Sequence, residues 1–145
     1  MSEAEKKLAE LGIALPDVPK PVANYVPWVK SGNQLYISGQ LPFKDGKLLH
    51  TGLVGEGVSA DDAKTCARQC AINIIAVAHS AAGLSNVRRV VKLVGFVACP
   101  ASFTGQPGVI NGASDLMAEV FGEAGRHARS AVGVGSLPLL SLIHI

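Results

Sequence analysis

The run Gly125–Pro138, GRHARSAVGVGSLP, gathers Arg126, His127 and Arg129 just before and inside a stretch otherwise made of small and apolar residues. A strand alternates its side chains between two faces, so Arg129 shares one face with Ala131 and Gly133 while Ser130, Val132 and Val134 point the other way. A guanidinium above such small neighbours has room for a ligand beside it. It can grip a carboxylate through two parallel hydrogen bonds and so orient a small acid, which the point charge of a lysine does not do. A surface or intersubunit ion pair would use the same residues, and the residues alone leave both readings open.

Other chemistry finds little support. No P-loop, GxGxxG, HExxH, GxSxG or paired CxxC is present, so the usual phosphate loops, zinc helices and serine-nucleophile turns are not expected. The four histidines, at 50, 79, 127 and 144, lack ligand-like spacing, and a metal site is not expected. His79 reads as an ordinary half-exposed helix residue. Cys66, Cys70 and Cys99 are odd in number, which fits a reducing compartment. Cys66 and Cys70 stand four apart on one helix face and read as core packing.

The elements that must position Arg129 follow from caps, breakers and periodicity. Ser2 followed by Glu5 has capping-box form, and Leu8, Leu11 and Gly12 complete a short N-terminal helix that reads as an appendage. Pro16, Pro19 and Pro21 then force an extended arm, so residues 1–20 are expected to be a helix and arm on a single domain spanning 21–145. Tyr25–Val29 and Gln34–Ser38, separated by Ser31-Gly32-Asn33, predict a hairpin. Lys47–His50 and Leu53–Val54 are short strand candidates in a glycine-rich segment. Ser59, with Asp61 and Asp62 behind it, opens a long helix that Gly83 ends. Its apolar face carries Ala63, Ala67, Cys70, Ile74, Val77 and Ala81, small enough for close packing on a sheet. Arg89–Ala98 reads as a central strand covered on both faces, one cover being another subunit. Val109–Phe121 is a further helix, Arg129–Gly135 a strand, and Leu139–Ile145 the start of another. This order predicts an α+β fold, a mixed β-sheet with two helices packed on one face.

With 145 residues, one domain accommodates the chain. Thirteen Lys and Arg against eleven Asp and Glu leave a net charge of +2, too weak a field to recruit nucleic acid or an anionic membrane by itself. Arg88, Arg89 and Lys92 are not interleaved with aromatic residues, so an RNA-binding or ribonuclease role is the less favoured reading. Mean hydropathy is high at +0.32. Yet the most apolar stretch, Ala71–Leu84, is broken by Asn73, His79 and Ser80 and is too short to span a bilayer. The hydrophobic excess points instead to contact with another copy of the chain. The charged N-terminus, Met1–Glu10, does not read as a secretory signal, so a cytoplasmic location is expected.

Tyr25, SGQLP at Ser38–Pro42, the long helix, HARSAVGV at His127–Val134 and Leu137-Pro138 together resemble the RidA/YjgF-type reactive-intermediate deaminases, also called the endoribonuclease L-PSP family. The likeness runs from about Pro21 to Pro138. NGASDL at Asn111–Leu116 and GEAGRHARSAVGV at Gly122–Val134 resemble a less studied branch. The resemblance implies a chorismate-mutase-like fold, a homotrimer with clefts between subunits, no cofactor, and hydrolysis of 2-imino or enamine acids to 2-keto acids and ammonia. The alternative within the same likeness is a non-catalytic trimer that binds small carboxylates. By position, Arg129 corresponds to the family's carboxylate-binding arginine and Tyr25 to a tyrosine in the cleft. Ser38 and Gly39, within SGQ, correspond to the segment that holds the attacking water or the nitrogen. Ala131 stands where many members carry a cysteine, leaving only its backbone N–H to serve. Ungapped counting from Arg129 places His144 where the family carries a proton-transferring glutamate. Leu139–Ile145, LLSLIHI, does not resemble the family's final strand, which is therefore expected to be incomplete.

Overall fold

A layer of two long helices lies on one face of a three-stranded sheet in the computed structural model, which describes all residues, Met1–Ile145. The chain runs α1 (Glu3–Glu10), β1 (Trp28–Ser31), β2 (Gln34–Ile37), β3 (Phe43–Lys44), β4 (Lys47–Leu48), β5 (Leu53–Val54), β6 (Gly57–Val58), α2 (Ala60–Ala82), β7 (Lys92–Ala98), α3 (Gln106–Phe121), β8 (Ala128–Val134) and β9 (Ile143–His144). The sheet order is β8-β7-β9: β7 pairs in parallel with β8, joined through α3, and antiparallel with β9. Beyond β9, Gln40 and Ile145 exchange backbone hydrogen bonds at 2.7 and 3.1 Å, so the exit of the β1–β2 hairpin is tied to that side of the sheet.

The elements with strong local signals form where the sequence predicts. Ser2 and Glu5 make both bonds of the capping box, at 3.2 and 2.6 Å. Ser59 accepts from the Asp62 N–H, and α2 stops at Gly83, whose φ of +75° a side chain would resist. Gly32, at φ +58°, takes the first position of the two-residue turn between β1 and β2, as a type II′ turn requires. The α1 helix is no appendage. Ala4 and Leu8 are buried in the one core that α2, α3, β7 and β9 share.

Where boundaries moved, long-range bonds moved them. The first hairpin strand begins at Trp28 rather than Tyr25, because Pro27 has no N–H for a ladder while its carbonyl accepts from Ser38. Val90 donates to Ala124, and Ala128 donates to Val91, so this stretch ties to the turn before β8 and β7 begins only at Lys92. The α3 helix starts at Gln106, three residues before the predicted Val109, with Pro107 tolerated in its first turn. Leu139–Ile145 is not one strand. Pro138–Leu140 is a tight turn with Leu139 and Leu140 at φ +58° and +57°, and only Ile143–His144 joins the sheet.

The expected cover on both faces of β7 is absent within the chain. Leu93, Gly95 and Val97 are buried beneath the helices, with Gly95 so close to Ile110 that a Cβ would sit 2.6 Å from its Cδ1. On the open face Val94 and, on the neighbouring strand, Val132 are 39% and 45% exposed. From Lys92 to Val97 the burial alternates, as in a strand covered on one side, and only Ala98 at its end is buried on the open face. No helix is long and apolar enough to cross a membrane.

Candidate functional site

Arg129 enters β8 on the helix-facing side, opposite Leu93 in the register, and Ala131 follows it opposite Gly95. The alternation read from the sequence therefore holds. What it could not supply is the partner of the guanidinium. Arg129 Nη1 donates to Asn111 Oδ1 at 2.7 Å and to Ser114 Oγ at 3.2 Å. Asn111 and Ser114 are three apart on α3 and so present one helical face to the strand. Nε and Nη2 make no hydrogen bond within the chain, and Arg129 takes part in no ion pair with a carboxylate. An arginine that is half buried, anchored at one corner by neutral acceptors and unpaired along its other edge can receive an anion in the forked geometry.

The remaining residues of the sequence reading lie elsewhere in the chain. Ser38 donates its hydroxyl to the Val26 carbonyl at 2.6 Å, which ties the SGQ segment to the stretch that carries Tyr25. Tyr25 is 59% exposed and makes no hydrogen bond. Gly39 lies against the His144 ring, so closely that an added Cβ would overlap it. Because Gln40 pairs with Ile145, this group sits past β9, three strand spacings of about 4.8 Å from β8, or roughly 14 Å away. Arg129 and Ala131 thus form one half of the predicted set, and Tyr25, Ser38 and Gly39 the other. One chain does not bring the two together.

His144 belongs with the second half. It pairs with Phe96 across the strands, their rings edge to face at 5.9 Å and 77°. Phe96 and Arg129's partner Leu93 are three apart on β7, so His144 and Arg129 stand on opposite faces of the sheet. Its Nδ1 is buried without a hydrogen-bond partner, and burial pushes the imidazole pKa down, favouring the neutral ring.

Polar residues that carry no role in the sequence reading build much of this geometry. Asn73, buried on α2, donates to the carbonyls of Leu41 at 2.9 Å and Phe43 at 3.1 Å and accepts from Gln69 at 3.0 Å, fixing the chain just after SGQ. An asparagine inside an otherwise apolar helix stripe was the available signal. Ser114 and Asn111 were marked only by lying in the NGASDL run. Cys66 and Cys70 are buried as expected; burial pushes the Cys66 thiol up to about 11 and raises Cys70 well above the ordinary thiol range too, which suits packing and not thiolate chemistry. A shallow groove of about 240 Å³ between α2 and α3 is lined by Lys64, Arg68, Asp115 and Glu119 among others. Both of its cations are paired, Arg68 with Glu119 at 3.1 Å and Lys64 with Asp115 at 3.9 Å, and it has no apolar wall.

Comparisons with known proteins place this arrangement. The family described as "YjgF/chorismate_mutase-like, putative endoribonuclease" matches residues 5–145. Protein TCP17 of Trypanosoma cruzi is 46% identical over 140 residues, covering 95% of this chain and 88% of that protein. The crystal structure of Atu1372 from Agrobacterium tumefaciens, whose function is described as unknown, has a TM-score of 0.91 at 51% identity over 98% of this chain and 88% of its own. RidA from an Antarctic Psychrobacter is more distant, with a TM-score of 0.61 at 29% identity, covering 88% of this chain and 89% of its own. The chain belongs to the YjgF/RidA family, and its α+β architecture is that family's chorismate-mutase-like fold.

Proposed function

We propose that this protein hydrolyses reactive 2-imino or enamine acids to 2-keto acids and ammonia, without a cofactor, in a cleft formed where copies of the chain meet. The observation that carries the reading is Arg129, which is anchored through Nη1, unpaired along Nε and Nη2, and free of any carboxylate of its own chain. A carboxylate gripped there holds the adjacent C=N carbon in a fixed place. Water adds to that carbon, the carbinolamine loses its C–N bond as the nitrogen takes up a proton, and ammonia and the keto acid leave. An imine carbon is already electrophilic, so orientation and a placed water supply most of what the step needs.

Two features support a shared cleft in a homotrimer. The predicted residues fall into two separated groups in one protomer, so a neighbour's Tyr25, Ser38 and Gly39 facing Arg129 and Ala131 would complete the set. The open sheet face exposes Val94 and Val132, and β8 is an unpaired edge whose outward backbone groups need partners. Sedimentation velocity is expected to give a trimer. A monomer at working concentration would remove the cleft.

Activity is tested by adding the protein to a serine or threonine dehydratase and following trapping of the released imine as its semicarbazone. Faster loss of the imine, abolished by Arg129→Ala, is expected. No acceleration, or full activity in that variant, refutes the reading. A non-catalytic carboxylate-binding trimer is the second reading, favoured by His144, which stands at the counted glutamate position yet on the sheet face away from Arg129, so that no proton-transferring side chain of the same chain meets the guanidinium there. Titration calorimetry with 2-oxobutyrate separates the two: that reading requires Arg129-dependent heat without turnover. An RNA-cleaving role has weaker support, since Arg89 spends a bond on the Arg126 carbonyl and the net charge is only +2. No salt-dependent shift of an RNA probe is expected.

A further inference from the structure

Ser114 and His127 take no part in the chemistry above, yet Ser114 is bonded directly to the arginine that carries it and His127 is bonded to Ser114. His127 Nδ1 lies 2.7 Å from the carbonyl oxygen of Gly125, and its Nε2 lies 2.9 Å from Ser114 Oγ. A carbonyl can only accept, so Nδ1 bears the hydrogen, and Nε2 of the neutral ring is an acceptor. The Ser114 hydroxyl therefore donates to His127, and its remaining lone pairs face Arg129 Nη1 at 3.2 Å. The second Nη1 hydrogen goes to Asn111 Oδ1 at 2.7 Å. Every donor and acceptor in the series is matched, and both hydrogens of Nη1 are used.

The local fold explains how the series is held. His127 and Arg129 are two apart on the approach to β8 and so face the same side, toward α3. The turn before them presses on that helix at Gly125, where a Cβ would overlap the Met117 carbonyl. This close approach brings the Gly125 carbonyl and the His127 ring within reach of Ser114. Ser114 sits in the middle of α3, where backbone N–H groups are committed to the helix, so no donors converge there to stabilise an oxyanion and the pair is not arranged as a nucleophile and its base.

We propose that Ser114 and His127 are positioning residues: a relay from the Gly125 carbonyl through His127 and Ser114 fixes the Nη1 corner of Arg129, so that its Nε–Nη2 edge is presented to the ligand carboxylate. The proposal rests on the reading of Arg129 as the carboxylate-gripping residue. It assigns the relay to ligand affinity and not to proton transfer.

The test uses the full chain and compares Ser114→Ala, His127→Ala, the double variant and Ser114→Thr, with thermal midpoints to confirm folding. Each alanine variant is expected to weaken 2-oxobutyrate binding and raise KM roughly three- to tenfold, while kcat holds, because a grip made equally in ground and transition states moves KM alone. The double variant is expected to be no weaker than Ser114→Ala, since His127 acts through Ser114, and Ser114→Thr to restore binding. Additive losses overturn the relay, as does a fall in kcat at unchanged KM, which would make the pair proton-transfer groups. If the wild-type protein shows no Arg129-dependent binding, the proposed function fails and nitrogen-15 NMR decides the relay alone. Slowed rotation of the Arg129 guanidinium, released in Ser114→Ala, sustains it; free rotation in the wild type overturns it.

Discussion

Replacing Gly39 by alanine isolates the contact between the SGQ segment and the final strand. Gly39 is not among the glycines with positive φ, so alanine can adopt its backbone without strain and any cost is steric. The added methyl would lie 2.7 Å from His144 Cδ2 and closer still to Nε2 and Cε1, whereas unstrained contacts run about 3.5–4.0 Å. The nearest ring atom must retreat by roughly 2 Å. It has little room, because Phe96 stands at its edge and its Nδ1 is already buried. Overpacking of this kind costs about 1–3 kcal/mol, and disturbing the edge-to-face pair adds about 0.5–1.5 kcal/mol. A net loss of about 2 kcal/mol lowers Tm by roughly 4–8 °C for a chain of this size. The assay is thermal and urea unfolding at one fixed protein concentration, for Gly39→Ala, His144→Ala and the double variant. With the His144 ring gone, the methyl enters vacated space, so Gly39→Ala is expected to cost less than about 0.5 kcal/mol in that background. An equal cost in both backgrounds, or none in the wild type, would refute the packing of SGQ against His144.

A methyl at Gly112 overlaps the backbone carbonyl of Lys64, which cannot swing aside as a side chain can; Gly112→Ala is expected to part α2 from α3 and cost about 3 kcal/mol in urea unfolding, and an unchanged midpoint would contradict that close approach. Burial holds the His144 pKa below its ordinary 6.5, so the unfolded chain binds this proton more readily: the contribution is complete above pH 6.5 and is lost as pH falls toward the folded value. His144→Phe is expected to flatten that acid-side loss of stability, and an unaltered pH profile would show that other groups cause it. Cys66, with its pKa at about 11, and Cys70 are expected to resist iodoacetamide at pH 8 in the native state and to react in urea. Rapid labelling of the folded chain would disprove their burial.

The resemblance to the family rested on short runs, SGQLP and HARSAVGV, that are legible because the chain needs those residue types at fixed offsets. The same runs pointed to Arg129 and to its face of the strand. They did not reveal how the guanidinium is held, since Asn111 and Ser114 lie 18 and 15 residues away and meet it only after α3 packs on β8. His127 read as one more positive charge and proves to be a hydrogen-bonding link between Gly125 and Ser114. His144 was placed by counting at a catalytic position. The sheet brings it to Gly39, yet on the face away from Arg129.

From the sequence by itself came the long helix from its Ser59 cap to its glycine stop, the capping box of α1, the β1–β2 turn and the alternation along β8. Each depends on sterics and hydrogen bonds among residues a few positions apart, and such terms are written locally. Tertiary structure alone decided that α1 joins the core, that β7 begins at Lys92, that only Ile143 and His144 of the last segment pair with the sheet, and that Arg129 is anchored at one corner and open at the other. Those outcomes depend on which distant donors and acceptors the packed core brings within about 3 Å of one another, and no local spacing encodes that distance.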